Sequence, residues 1–242
     1  MRSTNSLPMR APLIVTLVAM AAAAGLSAGT AAAQQAPPAS PSRFVVVLDA
    51  AHGGDDAGGR LTAGLQEKTF TLALSVRLRS LLAARGIQVV TTRESDLTVD
   101  PNRRADIANR ANAQACLSLH ATESGSGVHL YASSLPPAEP SRFAAFKTAQ
   151  AAWVTRSLAL AGVVNSSLLR TGLSVTLGRT ALLAVDSMTC PAVAVEIAPK
   201  RPPDRATGSP PIADLDDPDY QARVAEALAA ALVEWRGEAR EP

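Results

Sequence analysis

At 242 residues, 47% of them hydrophobic, the chain is long enough to bury one sizeable core and too apolar to be disordered throughout. Aromatic residues make up only 3%, which argues against an aromatic-lined carbohydrate groove or a stacking platform for nucleic acid. The formal net charge is +2, and both excess positive charges lie in the first 33 residues, so bulk electrostatics gives no reason to expect a nucleic-acid partner.

The N-terminus reads as an address label. Arg2 and Arg10 are its only charged side chains, an apolar run follows over residues 11–26, and small residues lead to Ala31-Ala32-Ala33 before Gln34. That is the pattern of a secretory signal peptide with an A-x-A-type cleavage site. The apolar run is short for a membrane span and no cysteine stands near the cleavage point. Residues 1–33 are therefore expected to be removed, leaving a periplasmic or secreted product with no stable membrane anchor. Residues 34–42, QQAPPASPS, read as a linker. One folded domain is expected over residues 43–236, with 237–242 as a tail.

Phe44-Val45-Val46-Val47-Leu48 is a short apolar run rich in β-branched residues and broken by Asp49-Ala50-Ala51-His52-Gly53-Gly54. Such a run reads as a buried strand of a parallel sheet. Residues 68–85 follow as an amphipathic helix with Leu74, Leu78, Leu81 and Leu82 at helical spacing and Gly86 as its stop. Residues 87–92 read as the next strand, completing a βαβ unit of the kind that is right-handed. A small-sided helix is expected within residues 98–115, with Asp100 as cap and Pro101 in the first turn. Residues 116–120 form a third strand ending on His120, and residues 127–131 a fourth that contains His129.

Residues 141–162 read as one long helix with Phe143, Phe146, Trp153 and Leu158 on its apolar side. Residues 163–179 carry no clear signal, and residues 180–185 read as a short strand. Pro191 to Ala198, PAVAVEIA, is a buried strand carrying one acidic residue, Glu196. A Pro- and Asp-rich loop follows, then a last amphipathic helix over residues 219–235 with Tyr220, Val224, Leu228, Leu232 and Trp235 inward. The fold class expected is α/β: a single-domain, three-layer fold with a mostly parallel sheet of about six strands covered by helices on both faces. Cys116 and Cys190 are compatible with a disulfide in an exported protein. Their apolar, strand-like surroundings favour two buried thiols instead.

His52 and His120 both stand at the C-terminal ends of expected parallel strands, which in a doubly wound sheet converge on one rim. Glu67 lies in the segment leaving the first strand and can fold back over that rim. Glu196 lies near the end of another strand. Two His and one Glu form a recurring catalytic zinc set with an open fourth position. A second carboxylate off the metal can shuttle the proton of an activated water, and Glu196 fits that role. Taken singly, each residue has a bland reading: Glu67 a solvated loop charge, His120 a hydrogen-bonded core histidine, Glu196 an ion-pair partner of Arg179 or Lys200. His129, inside its strand, reads as structural or rim-lining, and the Asp55-Asp56 pair as solvated. HGGDDAGG lacks the Lys-Ser/Thr ending of a phosphate-binding loop, and no G-x-S-x-G elbow is present.

Together these segments resemble the zinc-dependent N-acetylmuramoyl-L-alanine amidases of bacterial cell-wall turnover. The matching pieces are LDAAHGGDDAGG at 48–59, GLQEK at 64–68, TTRESD at 91–96, RADIANRANA at 104–113, LSLHA at 117–121 and PAVAVEIA at 191–198. The resemblance implies Zn2+ held by His52, Glu67 and His120, with Glu196 as catalytic acid/base. It implies peptidoglycan as substrate, cut at the amide between N-acetylmuramic acid and L-alanine. The chain departs from the family pattern at three places. Ala50-Ala51 replaces Pro-Gly before the first His, Thr122 replaces Asn after the second, and Ile197-Ala198-Pro199-Lys200 replaces G-F-x-S-N after the Glu. Some members carry a helix that plugs the zinc until a partner displaces it; residues 122–195 show no acidic plug, so a site open without a protein activator is expected. Two readings compete with the amidase: a catalytically weak peptidoglycan-binding or regulatory relative, and a zinc peptidase on a similar fold.

Overall fold

The computed structural model describes residues 43–62, 64–141, 145–201 and 213–238. The segments expected to be signal peptide and linker, Phe143 and most of the Pro- and Asp-rich loop lie outside these residues. Six strands form one sheet: β1 (Val45–Ala50), β2 (Gln88–Thr91), β3 (Ala115–Ala121), β4 (Val128–Ser133), β5 (Val175–Thr180) and β6 (Ala192–Ile197). Their order is β2-β1-β3-β6-β4-β5, and every neighbouring pair is parallel except β4 with β6. The expected α/β fold with a mostly parallel six-stranded sheet is the one observed. Among the described residues four α-helices accompany it: α1 (Glu67–Ala84), α2 (Pro101–Arg110), α3 (Val154–Arg170) and α4 (Pro218–Glu238).

Side-chain alternation sorts the helices onto two faces. Val46, Leu48, Leu117, Leu119, Val193 and Val195 point into the larger core with Phe70, Leu74, Leu78 and Leu82 of α1, Leu160 and Val164 of α3, and Leu228 and Leu232 of α4. Val47, Cys116 and Ala192 point the other way, against Ala105 and Ala108 of α2. The small alanines of α2 let that helix approach closely, and Asp100 caps it by accepting the Arg103 N–H. Helix α1 ends where Gly86 takes φ +71, a conformation that costs a glycine least. No helix among the described residues is long and apolar enough to cross a membrane.

Three expectations are corrected. The single long helix over residues 141–162 is instead a 3-10 helix, Phe146–Ala152, followed by α3, which runs on to Arg170. The break has a cause remote in sequence. Gln150 is fully buried, donates to the carbonyls of Met188 and Cys190, and accepts the Ser157 hydroxyl, which fixes the chain where a regular helix would carry the side chain away. Phe146 and Leu158, expected inward, are exposed. The strand expected at 180–185 lies earlier, as β5, and Val185–Ser187 is a 3-10 turn.

The third correction concerns the cysteines. Cys116 and Cys190 form a disulfide, with Cα atoms 6.3 Å apart. Cys116 pairs in register with Ala192, so Cys190 arrives beside it just ahead of β6, a closeness that only the sheet order creates. The bridge closes a loop with a sequence separation of 74, for which chain entropy alone predicts about 4 kcal/mol of stabilisation. Replacing both cysteines by serine is expected to lower the unfolding free energy by about that amount in urea titration, with a lower midpoint and a somewhat steeper slope, because the unbridged unfolded chain exposes more surface.

Candidate active site

The strand order reverses between β1 and β3: β2 lies on one side of β1 and β3 on the other, reached by crossovers on opposite faces. In such sheets the crevice outside the carboxyl ends of the strands at this point is open to ligand. His52 follows β1, His120 is the penultimate residue of β3, and Glu67 opens α1. One ligand atom from each of these three residues lies within 4.8 Å of the other two, close enough to hold a metal ion. Glu67 bridges the imidazoles, with Oε2 3.1 Å from His52 Nε2 and Oε1 3.0 Å from His120 Nδ1.

The donor set fits a tetrahedral transition metal. Nitrogen and carboxylate donors at zinc bond lengths lie roughly 3.4 Å apart around a tetrahedral centre, close to the spacings observed. Burial alone would push the Glu67 carboxyl up, but the two imidazoles and the Gly59 N–H outweigh it and hold the group well below the usual carboxylate range. The same contact raises His52, helped by Asp56 and opposed by burial. A buried carboxylate kept ionised between two imidazoles is a place that favours added positive charge.

Each ring is set from behind. Asp56 Oδ2 accepts from His52 Nδ1 at 2.8 Å, so Nε2 is the ring nitrogen turned to Glu67 and the candidate metal position. Ser118 has one hydroxyl proton and donates it to Asp49 Oδ2 at 2.8 Å; it therefore accepts from His120 Nε2 at 3.3 Å, which turns Nδ1 toward Glu67 and the candidate metal position. Asp49 is itself buried and held by Arg104 Nη1 at 2.7 Å and the Thr92 hydroxyl at 2.8 Å. One buried carboxylate thus fixes the second imidazole through a serine.

The turn after β1 is strained and clamped. His52 has φ 60, uncommon for a residue with a side chain. Arg104 donates to the carbonyls of Ala50 and His52, and Arg93 to those of Ala50, Ala51 and Lys68. Gly58 closes over the site at φ +65, where any Cβ would stand 2.7 Å from both Glu67 Oε2 and the His52 ring, so only glycine fits.

Glu196 enters from β6, in register with His120 on β3 and with His129 on β4. Register neighbours share a face, so the three side chains form one row across the sheet. His120 and Glu196 are half-buried in strands whose other residues are buried, which marks the row as the open part of this face. Arg179 donates to the Ser133 and Leu135 carbonyls, so the ion pair with Glu196 that the sequence allowed is not made, and no ion pair to Lys200 appears either. Among the described residues no hydrogen bond or ion pair engages the Glu196 carboxylate.

Sequence reasoning passed over Asp49, Asp56, Arg93, Arg104 and Ser118. For Asp56, which the sequence alone reads as solvated, the available signal is its place two residues before a Gly-Gly turn. Replacing Asp56 by Ala removes the acceptor that orients His52, and is expected to weaken metal binding about 10- to 100-fold with the fold intact, as read by competition with a chromophoric chelator.

Residues 46–234 match the family model described as N-acetylmuramoyl-L-alanine amidase. A sporulation-specific N-acetylmuramoyl-L-alanine amidase of Bacillus subtilis is 38% identical over 82 residues, 33% of this chain and 32% of that protein. The amidase AmiA of Escherichia coli is 38% identical over 82 residues, 34% of this chain and 28% of that one. The aligned part spans about a third of the length of these curated relatives. Among solved structures, the catalytic domain of the amidase CwlV from Bacillus (Paenibacillus) polymyxa var. colistinus superposes with a TM-score of 0.60 at 27% identity, covering 80% of this chain and 98% of that one. The amidase Ami1 of Mycobacterium abscessus, at 23% identity and a TM-score of 0.61, shares the fold.

Proposed function

The chain belongs to the N-acetylmuramoyl-L-alanine amidase family, and from that premise we propose that it is a zinc-dependent hydrolase of peptidoglycan, cutting the amide between the lactyl group of N-acetylmuramic acid and L-alanine of the stem peptide. The observation that carries the reading is the convergence of His52, Glu67 and His120 with Glu196 one strand away. His52 Nε2, a Glu67 oxygen and His120 Nδ1 would hold zinc. Bound there, zinc would supply Lewis acidity to the scissile carbonyl and lower the pKa of water toward neutrality.

The chain's own residues do the rest. Asp56 and the Asp49–Ser118 pair keep both imidazoles in the tautomers that present lone pairs to one point. Glu196 takes a proton from the attacking water and delivers it to the leaving nitrogen as the C–N bond breaks, yielding a lactyl carboxylate and a free amine. Its freedom from any ion pair leaves that carboxylate available as a base. The open sheet face around the row gives a bulky sugar–peptide substrate a way in.

Export through residues 1–33 is proposed as the route to that substrate, with action in the periplasm or outside the cell. Equilibrium dialysis and release of labelled peptidoglycan fragments test the function together. One zinc per chain and release that stops with chelator are expected. Full release after the metal is stripped would reject the reading.

A further inference from the structure

The row that holds His120 and Glu196 does not stop at Glu196. His129 of β4 is the next residue across the sheet, and Thr176 of β5 pairs in register with it. Strand β4 alternates buried and half-buried from Val128 to Tyr131: Val128 and Leu130 point into the larger core, and His129 and Tyr131 toward the open face. Four side chains, His120, Glu196, His129 and Thr176, therefore lie in line on one surface.

His129 is fixed in place without being consumed. Thr176 Oγ1 lies 2.6 Å from its Nδ1. On the other side of the ring the loop carries Gly125 at φ +80, where a Cβ would come within 2.6 Å of Nε2. The Gly125 backbone packs close to this edge of the ring, and the lack of a side chain there is what keeps Nε2 from being blocked. Among the described residues Nε2 has no hydrogen-bond partner of its own. A histidine kept only for packing would sit in the core; this one sits on the face beside the acid/base, with one nitrogen anchored and the other free.

We infer that His129 is a substrate-binding residue that grips the leaving stem peptide, its Nε2–H donating to a carbonyl or carboxylate oxygen of the first or second residue beyond the scissile nitrogen. This rests on the amidase reading of the row. With the carbonyl at the His120 end and the nitrogen at Glu196, the leaving peptide must continue toward β4 and β5. Neighbouring strands lie about 4.8 Å apart and an extended peptide advances about 3.3 Å per residue, so His129 lies within reach of the first peptide oxygens. The Thr176 hydroxyl can donate to Nδ1, and in that arrangement the ring carries its hydrogen on Nε2. The sugar side of the substrate would lie the other way, over His52.

The test compares the zinc-loaded full protein with its His129→Ala, His129→Gln and Thr176→Val variants on a muramoyl dipeptide, following KM and kcat separately. It also measures binding of the same compound to Glu196→Gln with and without His129→Ala by titration calorimetry. His129→Ala is expected to raise KM about 10-fold with kcat within about threefold, the size of one lost hydrogen bond, and to weaken binding by the same factor. His129→Gln, which keeps a donor, recovers most of the loss, and Thr176→Val loses part of it. Zinc content stays at one per chain in all of them. Unchanged KM and unchanged binding in His129→Ala overturn the inference while cleavage by the unaltered enzyme upholds the amidase reading. A large fall in kcat at constant KM also overturns it, because His129 would then act on the chemistry rather than on the leaving peptide. If the unaltered protein neither cleaves nor binds the compound, both fall.

Discussion

Replacing Glu196 by Gln is expected to cut amide hydrolysis by roughly 10^2- to 10^4-fold, the range that a positioned acid/base contributes, while leaving one zinc bound per chain. The side chain is half-exposed and makes no ion pair, so its change strands no buried partner and the stability should move by less than about 0.5 kcal/mol. That separation matters. A residue that merely held the rim together would lose stability and activity in step. Glu196 lies one strand from His120, near enough to reach a water over the metal position yet outside the ligand set. The variant should therefore lower kcat far more than it alters KM, with the thermal midpoint and metal content as controls.

The second large effect lies beneath the site. Asp49→Ala leaves the Arg104 guanidinium buried at 7% side-chain exposure without its counter-charge. Breaking a buried pair from one side typically costs 3–5 kcal/mol, about a third or more of a domain's stability. The same change removes the acceptor of the Ser118 hydroxyl, so His120 loses the group that selects its tautomer. Both losses should appear together: a urea midpoint lowered by the equivalent of about 3–5 kcal/mol, and weaker zinc binding in the fraction that remains folded. Ser118→Ala separates the two, since it should weaken zinc while moving stability by only about 1 kcal/mol.

Much of the fold was written in local patterns. Strands β1, β3 and β6 are short, mostly apolar segments, and α1 repeats leucine at helical spacing, so burial and periodicity coincide. Strand β5 escaped notice because it is an edge strand, VTLGRT, with Leu177 and Arg179 exposed and no apolar run to mark it. The break before α3 was invisible for a different reason: the partners of Gln150 lie 38 and 40 residues away. The disulfide depends in the same way on which strands become neighbours.

The site shows the same division. His52, His120 and Glu196 stand at strand ends, where chain order and the parallel sheet already locate a crevice. Their supports do not. Asp49 meets Arg104 and Ser118 across 55 and 69 residues, a contact that exists only once β3 has been placed beside β1. Ligands announce themselves by chemistry and position; the groups that orient them are ordinary residues until the sheet order is known.

The central claim is the bond that is cut. Purified protein loaded with zinc and incubated with isolated peptidoglycan should generate new free L-alanine amino termini, identified by mass spectrometry, and these should vanish with chelator and with Glu196→Gln. New termini inside the stem peptide, or none at all with one zinc bound per chain, would contradict it.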